Sequence, residues 1–286
     1  MKNLFTRSEQ LDPLNDFLFY KVMGEKEDDV QLLGFINAVL GKTEDDKFTS
    51  IEILENKTFT PENIGDKSVT LDVRAVLHGK TKVNVEVQLR NEYNMDKRSL
   101  FQWSREFSRS LKAGQDYSEL PNVIAINIVN FDYLGTEDFH SCFHLRDAKE
   151  RDIILTGALE IHFINMVRFR KENKKLSDSL TRWLIWLDKR SPPELLEEVS
   201  IMDPAIQAAN NKLDFISDNE DAMDMYRRRF MAMCDYTSGM NHARSTGLKR
   251  GLKKGRRKGV KEGRHEIIEL LKSGKSPDEI IRDYSG

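Results

Sequence analysis

The 286-residue chain is long enough for one large domain, or for a core with a smaller appendage. Its composition, 39% hydrophobic and 32% charged with a mean hydropathy of -0.57, indicates a packed core beneath a heavily charged surface and argues against a membrane-embedded protein. The two cysteines, Cys142 and Cys234, form no disulfide framework, and the first residues contain no apolar leader, so we expect a cytoplasmic location.

Apolar periodicity divides the chain into predicted strands and helices. Six runs have the composition of strands, at 50–54, 69–78, 82–89, 122–131, 141–145 and 158–165. Helical spacing predicts two short helices within 14–41 and further helices at 96–113, 179–189, 194–199, 204–216 and 219–243. Asp203 and Pro204 are suited to the cap and first turn of one of them.

The order of these elements indicates the fold class. The run 122–131 is almost entirely Val, Ile and Ala, which is typical of a central strand covered on both faces. We therefore expect an α/β fold, in which a mixed sheet is flanked by helices and followed by an α-helical C-terminal extension. The expected boundaries are a core at 1–170, a helical extension at 171–243, and a basic tail with short terminal helices at 244–286.

Two carboxylates lie in the predicted hairpin 69–89, among valines that indicate a buried sheet. Glu86 and Gln88 are two residues apart and share one face of their strand. Asp72 joins that face only if paired residue numbers add to an even value, for example with Arg74 opposite Glu86. A two-residue turn gives the wrong parity, so we expect a three-residue loop or a bulge at 78–82.

Buried carboxylates need a compensating cation. Asp72 and Glu86 on one face would form an oxygen-rich site for Mg²⁺ or Mn²⁺, whose natural reaction is phosphodiester hydrolysis. Arg74 could compensate them instead, in an Asp–Arg–Glu ion-pair network with no catalytic role. The spacing alone leaves both interpretations open.

The stretch SVTLDVRAVLHGKTKVNVEVQLR at 68–90 closely resembles the motif of the PD-(D/E)XK nucleases, in the form found in the recombination-promoting nuclease or transposase family. Other stretches resemble that family in the same order: DFLFYKVMG at 16–24, FINAVLG at 35–41, KRSLFQWSREFSRSLKAGQDYSELPNVIAINIVNF at 97–131, FHLRD at 143–147 and EIHFINM at 160–166. The resemblance covers roughly residues 12–240 and implies a restriction-endonuclease-like core.

The resemblance also implies roles for particular residues. Asp72 and Glu86 correspond to the metal-binding acids of the motif, and Gln88 stands where the superfamily signature has lysine. Glutamine is uncharged, which leaves the source of the positive charge open. Lys21 and Arg98 are the candidates.

The implied activity is a Mg²⁺- or Mn²⁺-dependent DNA endonuclease that serves recombination, a mobile element or defence against foreign DNA. Asp16 could add a further carboxylate to its site. The alternative is a catalytically weak nucleic-acid-binding or regulatory protein that keeps the fold.

Basic residues indicate two DNA-binding regions. Arg98, Arg105 and Arg109 project from one sector of the predicted helix 96–113, and we expect Arg98 and Arg105 to contact phosphate. Residues 244–264 contain ten Lys or Arg and one acid, a net charge of +9, which leaves -11 for the rest of a chain whose total is -2. The predicted DNA contacts in this tail are Lys253, Lys254, Arg256 and Arg257.

Glycines recur every four residues through the basic tail, from Gly247 to Gly263. Each weakens a helix by about 1 kcal/mol relative to alanine, yet the spacing keeps them on one slowly drifting stripe. A helix that packs against a second copy of the chain, as in a homodimer, fits this pattern, and so does a helix that binds DNA. A solvated, flexible linker is the remaining alternative.

His140, Cys142 and His144 alternate along the predicted strand 141–145 and the residue before it, which superficially resembles a zinc site. The sequence contains no second ligand pair with zinc-site spacing, so these residues are interpreted as ordinary strand residues.

Overall fold

The computed structural model describes residues 11–54 and 72–284. Its strands are β1 (Ile51–Leu54), β2 (Val73–Leu77), β3 (Thr81–Gln88), β4 (Val123–Val129), β5 (His140–Phe143) and β6 (Leu159–Asn165). Its helices are α1 (Asp16–Met23), α2 (Asp29–Val39), α3 (Met95–Ser108), α4 (Met166–Phe169), α5 (Ser179–Leu187), α6 (Pro193–Met202), α7 (Pro204–Ser217), α8 (Glu220–Lys272) and α9 (Pro277–Tyr284), with a 3-10 turn at Tyr117–Glu119. The predicted residues 69–71 lie outside the described part of the chain.

The strands form one mixed sheet in the order β1-β2-β3-β4-β6-β5. β4 runs parallel to both β3 and β6, whereas the β1–β2, β2–β3 and β5–β6 pairs are antiparallel. All seven residues of β4 are buried, which confirms the prediction of a central strand from its unbroken apolar run. The mixed sheet flanked by helices confirms the predicted α/β class.

The β2–β3 hairpin has the parity that the carboxylates require. Val73 pairs with Val85 and Leu77 with Thr81, so paired numbers add to an even value. Three residues, 78–80, connect the strands, with positive φ at His78 and Gly79, as expected for a three-residue loop. The register differs by two residues from the example pairing that illustrated this parity, because Arg74 lies opposite Asn84 rather than Glu86.

The sheet has two differently covered faces. One face, which includes Val85 and Ile126, belongs to the main core with apolar residues of α1, α2, α5, α6 and α7. The other face, which includes Ala125 and Phe163, is covered by α3, whose Met95 is fully buried against it. Glu86 and Asn127 pair with each other and point to this second face. α3 therefore lies over the polar residues of the hairpin.

Local capping explains where several helices begin. Asn15 accepts hydrogen bonds from the Phe17 and Leu18 amides at the start of α1. Asp203 accepts from the Ala205 amide at 3.1 Å and Pro204 occupies the first turn of α7, as predicted. The single turn of α4 directly follows β6, where Asn165 caps it, and its shortness left no periodicity in the sequence to predict it.

The chain divides into two compact units, Met1–Phe230 and Met231–Gly286. Residues 171–230 belong to the same unit as the sheet, because α5, α6 and α7 contribute to the main core. The glycine-spaced segment is helical, as part of α8 through Lys272, and a turn at Gly274 leads to α9. Across residues 11–54 and 72–284, none of the helices combines the length and apolar character needed to cross a bilayer.

Candidate active site

The hairpin brings Asp72 and Glu86 to the sheet face beneath α3. Asp72 directly precedes Val73, so the β2–β3 register carries it to the position opposite Glu86. Only 3% of the Glu86 side chain is exposed, and Asp72 is half-buried. The sequence prediction that both carboxylates share one face agrees with this register.

The two carboxylates lie in an environment that disfavours their charged forms. Burial, followed by the negative charge of Glu86, raises the pKa of Asp72 to about 7, while Arg98, Arg74 and Arg105 oppose the shift. Burial also raises the pKa of Glu86, against the charge of Arg98 and the amide of Gln102. The pKa values of both neighbouring acids are raised, so a cation bound between them would stabilise their charged forms.

Two buried oxygens on this face lack a hydrogen-bonding partner among the described residues: Oε2 of Glu86 and Oδ1 of Asn84. Each such oxygen costs about 1–3 kcal/mol unless something binds it. Asn84 and Glu86 are two residues apart on β3, so both project toward α3. Asn84 was not among the predicted site residues, although its spacing of two from Glu86, the same as that of Gln88, is the signal that could have found it.

Arginines supply positive charge on the α3 side of the site. Nη2 of Arg98 lies 2.5 Å from Oε1 of Glu86, and Nη1 lies 3.8 Å from Oε2 of Glu92. Arg105 is exposed about two turns further along α3. Its positive charge lowers the pKa of Asp72. Arg74 of β2 pairs with Glu106 of α3 at 3.0 Å, which ties the hairpin to the helix. These contacts place Arg98 beside Glu86.

Other predicted residues lie elsewhere or point differently. Lys21 is on α1, on the main-core side of the sheet, where it pairs with Glu25. Asp16 forms a bidentate pair with Arg229 of α8, with Nη2 to Oδ2 at 2.6 Å. Gln88 is half-buried on the Glu86 face, and its amide donates to the Arg90 carbonyl at 3.3 Å. Of the two candidates for the missing positive charge, the structure brings Arg98 to the carboxylates and Lys21 to Glu25.

The predicted DNA contacts of the tail lie in the second unit. Lys253, Lys254, Arg256 and Arg257 are exposed on α8. Arg109 caps the C-terminal end of α3 and is also exposed.

Comparison with known protein families identifies the family of the chain. The model of the family described as PD-(D/E)XK nuclease family transposase matches residues 13–243, which is most of the chain. The chain belongs to the PD-(D/E)XK nuclease family transposases. No curated protein and no solved structure matches it.

Membership of the PD-(D/E)XK nuclease family transposases gives the carboxylates a context. The matched residues include the hairpin, α3 and the whole sheet. The family supports a nuclease or transposase-like function, and a nuclease family implies a DNA substrate. PD-(D/E)XK nucleases usually use divalent metal ions.

Proposed function

We propose that this PD-(D/E)XK family member is a metal-dependent DNA endonuclease that hydrolyses phosphodiester bonds. The observation that carries the proposal is the pair of opposed carboxylates, Asp72 and Glu86, with the buried Oε2 of Glu86 left without a hydrogen bond among the described residues. A buried anionic oxygen with no donor is costly, and a bound cation removes that cost. The family match supports a nuclease, and the metal dependence is our inference from these oxygens.

The donor set fits a hard divalent cation. Asp72 and Glu86 offer carboxylate oxygens and Asn84 offers an amide oxygen, which are the ligand types that Mg²⁺ and Mn²⁺ prefer. When bound, such an ion polarises a phosphate and lowers the pKa of an attacking water. Asp72 and Glu86 hold the ion in this proposal, and Asn84 accepts from its water or contacts it directly.

Arg98 takes the part of the missing motif lysine in this proposal. It already lies at Glu86, and its charge acts on Asp72. Its guanidinium carries a permanent positive charge and five donors suited to a phosphate, which Gln88 does not. Arg105, exposed on the same helix, extends the positive surface along which a DNA backbone binds.

The basic segment of α8 provides a second, sequence-independent contribution to DNA binding. Its +9 charge attracts the phosphate backbone wherever it lies and releases counterions on binding. Because phosphate contacts carry no base information, this segment increases affinity without selecting a sequence. The transposase description of the family supports a role in recombination or with a mobile element.

A plasmid-nicking assay tests the proposal. The purified chain should nick supercoiled DNA with Mg²⁺ or Mn²⁺ and stop with a chelator. Asp72→Ala should nick DNA at least roughly 10–100-fold more slowly, which is the loss expected when a group that merely supports a metal site is removed. The variant is purified in the same way as the unmodified chain, so a contaminating nuclease would appear in both.

A thermal shift on adding Mg²⁺, absent in Asp72→Ala, provides a readout that does not depend on choosing the right DNA. If the chain binds DNA but neither nicks it nor shows a shift with either ion, the alternative of a binding protein that keeps the nuclease fold is correct.

A further inference from the structure

A second cluster of ligand-type side chains lies at the other end of the sheet. Cys142 of β5, His144 just after it and Glu160 of β6 each present a ligand atom, and these atoms all lie within 4.8 Å of one another. Sγ of Cys142 is 3.2 Å from Nε2 of His144 and 3.9 Å from Oε1 of Glu160. Ligands about 2.0–2.3 Å from a tetrahedral zinc ion stand roughly 3.3–3.6 Å apart. The two sulfur separations, 3.2 Å and 3.9 Å, lie on either side of that range.

The strand register explains why these residues meet. β5 and β6 are antiparallel, and Cys142 lies opposite His162. Two residues further along each strand, on the same face, His144 lies opposite Glu160. The sequence showed only the alternation of His140, Cys142 and His144 on one strand. The third ligand comes from a neighbouring strand 18 residues later, which a search for ligand spacing along the chain does not reveal.

Two histidines in contact with each other, His162 and His140, adjoin the cluster. Nε2 of His162 lies 2.7 Å from Oε1 of Glu160, and Nδ1 of His162 lies 2.9 Å from Nε2 of His140. His162 is 3% exposed, whereas His140 and Glu160 are half-buried. A ligating carboxylate that is held by a buried histidine, itself held by a second one, is the supporting arrangement that metal sites use to fix their ligands.

We propose that Cys142, His144 and Glu160 form a binding site for a zinc-type transition-metal ion, with His162 and His140 as positioning residues. A thiolate and an imidazole select soft or borderline ions such as Zn²⁺ over Mg²⁺. The thiolate and carboxylate together neutralise a dication. On binding, the Cys142 thiol releases its proton to water, and the thiolate sulfur donates to the ion.

The position of the site indicates a structural role for the ion. β5 is the outermost strand of the sheet, and it contributes only four residues. Cys142 lies on β5 and Glu160 on β6, so one ion bound to both fastens the edge strand to its neighbour. Cys142 is exposed, which leaves a path by which the ion enters.

This site is separate from the proposed nuclease centre. Glu160, His162 and Cys142 share the face of the sheet that carries Ile126, whereas Glu86 is on the face beneath α3. The zinc proposal therefore does not depend on the endonuclease proposal, and each can fail alone.

Cobalt substitution in the full chain tests the site. The chain is treated with a chelator, dialysed and titrated with Co²⁺, whose thiolate charge-transfer band and visible ligand-field bands report sulfur ligation and tetrahedral geometry. We expect the charge-transfer band to saturate at one Co²⁺ per chain, and the band to be lost on adding Zn²⁺ but not on adding excess Mg²⁺, which occupies only the hairpin centre. Cys142→Ser should abolish the charge-transfer band, and Glu160→Gln should weaken Co²⁺ binding at least 10-fold. His162→Gln should weaken it 10–100-fold without removing the band, as expected of a positioning residue.

Two matched variants distinguish this site from others. Cys234→Ser changes the other exposed cysteine and should leave the band intact. Asp72→Ala removes a ligand of the hairpin centre and should also leave it intact. A chain that shows no charge-transfer band with Co²⁺, a band that survives Cys142→Ser, or a band that disappears in Cys234→Ser or Asp72→Ala would overturn the proposal.

Discussion

Nη2 of Arg98, near the start of α3, lies 2.5 Å from Oε1 of Glu86 on β3. The partners differ in exposure, since 29% of the Arg98 side chain but only 3% of the Glu86 side chain is accessible. The arginine therefore compensates a charge that water does not reach. A cation bound at Oε2 of Glu86 would share that compensation, so Arg98 and the proposed metal ion have overlapping electrostatic roles.

Replacing Arg98 separates these two roles. Arg98→Ala leaves Glu86 buried without its partner, and breaking a buried pair in this way costs about 3 kcal/mol in unfolding free energy. Mg²⁺ should restore part of this loss, so the stabilisation by Mg²⁺ in urea unfolding should be larger in Arg98→Ala than in the unmodified chain.

The nicking rate of Arg98→Ala should fall even with saturating Mg²⁺, because the phosphate loses a donor. Arg109→Ala, an exposed arginine on the end of the same helix, is the control and should change the unfolding free energy by less than about 0.5 kcal/mol. An Arg98→Ala protein as stable as this control would show that the pair contributes nothing.

Asn84 provides a test of the unpartnered oxygens. We expect Asn84→Ala to weaken Mg²⁺ binding about 10-fold with little change in fold, because Oδ1 of Asn84 accepts no hydrogen bond from the described residues. Asn127 is the matched control: it is buried on the same face, but its amide donates to Ser99 at 2.7 Å and to the His162 carbonyl at 3.0 Å.

Asn127→Ala should therefore cost about 1–3 kcal/mol of stability and leave Mg²⁺ affinity unchanged. Calorimetric titration of Mg²⁺ measures both variants. Equal affinities for Mg²⁺ in Asn84→Ala and in the unmodified chain would remove Asn84 from the site.

Asp28 gives the fold a defined pH dependence. Burial raises the pKa of Asp28 to about 6 against the charge of Lys212. Between about pH 4 and pH 6 the folded chain keeps a proton on Asp28 that the unfolded chain has released. The free energy of unfolding therefore falls as the pH rises through that window. Asp28→Asn should flatten the fall of the unfolding free energy between pH 4 and pH 6.

Glu25 shares Lys212 with Asp28 and behaves oppositely, which makes it the control. Burial favours its neutral form, but hydrogen bonds from Lys21 and Lys212 hold its pKa below the usual value. The charged Glu25 carboxylate stabilises the folded chain above about pH 4.5, and this stabilisation is lost as the pH falls. Glu25→Gln should therefore lower the free energy of unfolding at neutral pH. Unfolding curves with the same slope in Asp28→Asn and the unmodified chain would contradict the assignment.

Much of the fold could be predicted because it rests on local patterns. The unbroken apolar run of β4 indicated a strand covered on both faces. The three-residue loop of the β2–β3 hairpin followed from the requirement that Asp72 and Glu86 share one face. The side shared by Asp72 and Glu86 was predictable for the same reason, since alternation along a strand is fixed.

Other features depend on which elements meet in space. The pairing of Lys21 with Glu25, and the position of α1 on the main-core side of the sheet, could not be predicted from the spacing along the chain. The contact of Cys142 with Glu160 depends on the β5–β6 register, and that register is not encoded in the spacing of either strand alone. The extent of α8 was also unpredictable, because the glycines weaken a helix and their spacing preserves its face.

The basic segment of α8 and the hairpin should have separable roles. Deleting residues 244–286 should weaken DNA binding and reduce its salt dependence, by about 0.9 in slope for each phosphate that the protein no longer neutralises. Mg²⁺ binding at Asp72 and Glu86 should remain. Asp72→Ala should do the reverse, and fluorescence anisotropy of labelled DNA across a salt series, with Mg²⁺ titration, measures both.

A full-length variant separates the charge of this segment from its helix. Changing Lys253, Lys254, Arg256 and Arg257 to Gln keeps good helix formers at exposed positions while removing four charges. If phosphate binding is the role of this segment, this variant should reduce the salt slope in the same direction but by a smaller amount, because it removes four of the ten basic residues at 244–264. An unchanged slope in both the deletion and this variant would mean that these residues do not bind phosphate.

In that case the glycine stripe would require another explanation. A Cβ added at Gly251, Gly255 or Gly259 meets no atom of the described residues within 4 Å, so packing against those residues does not require glycine at these positions. Gly255→Ala should then strengthen the helix by about 1 kcal/mol if the segment acts alone. If a second copy packs closely on the glycines, the same change should weaken a dimer that also disappears when 244–286 is deleted, and light scattering of the three proteins decides between the two cases.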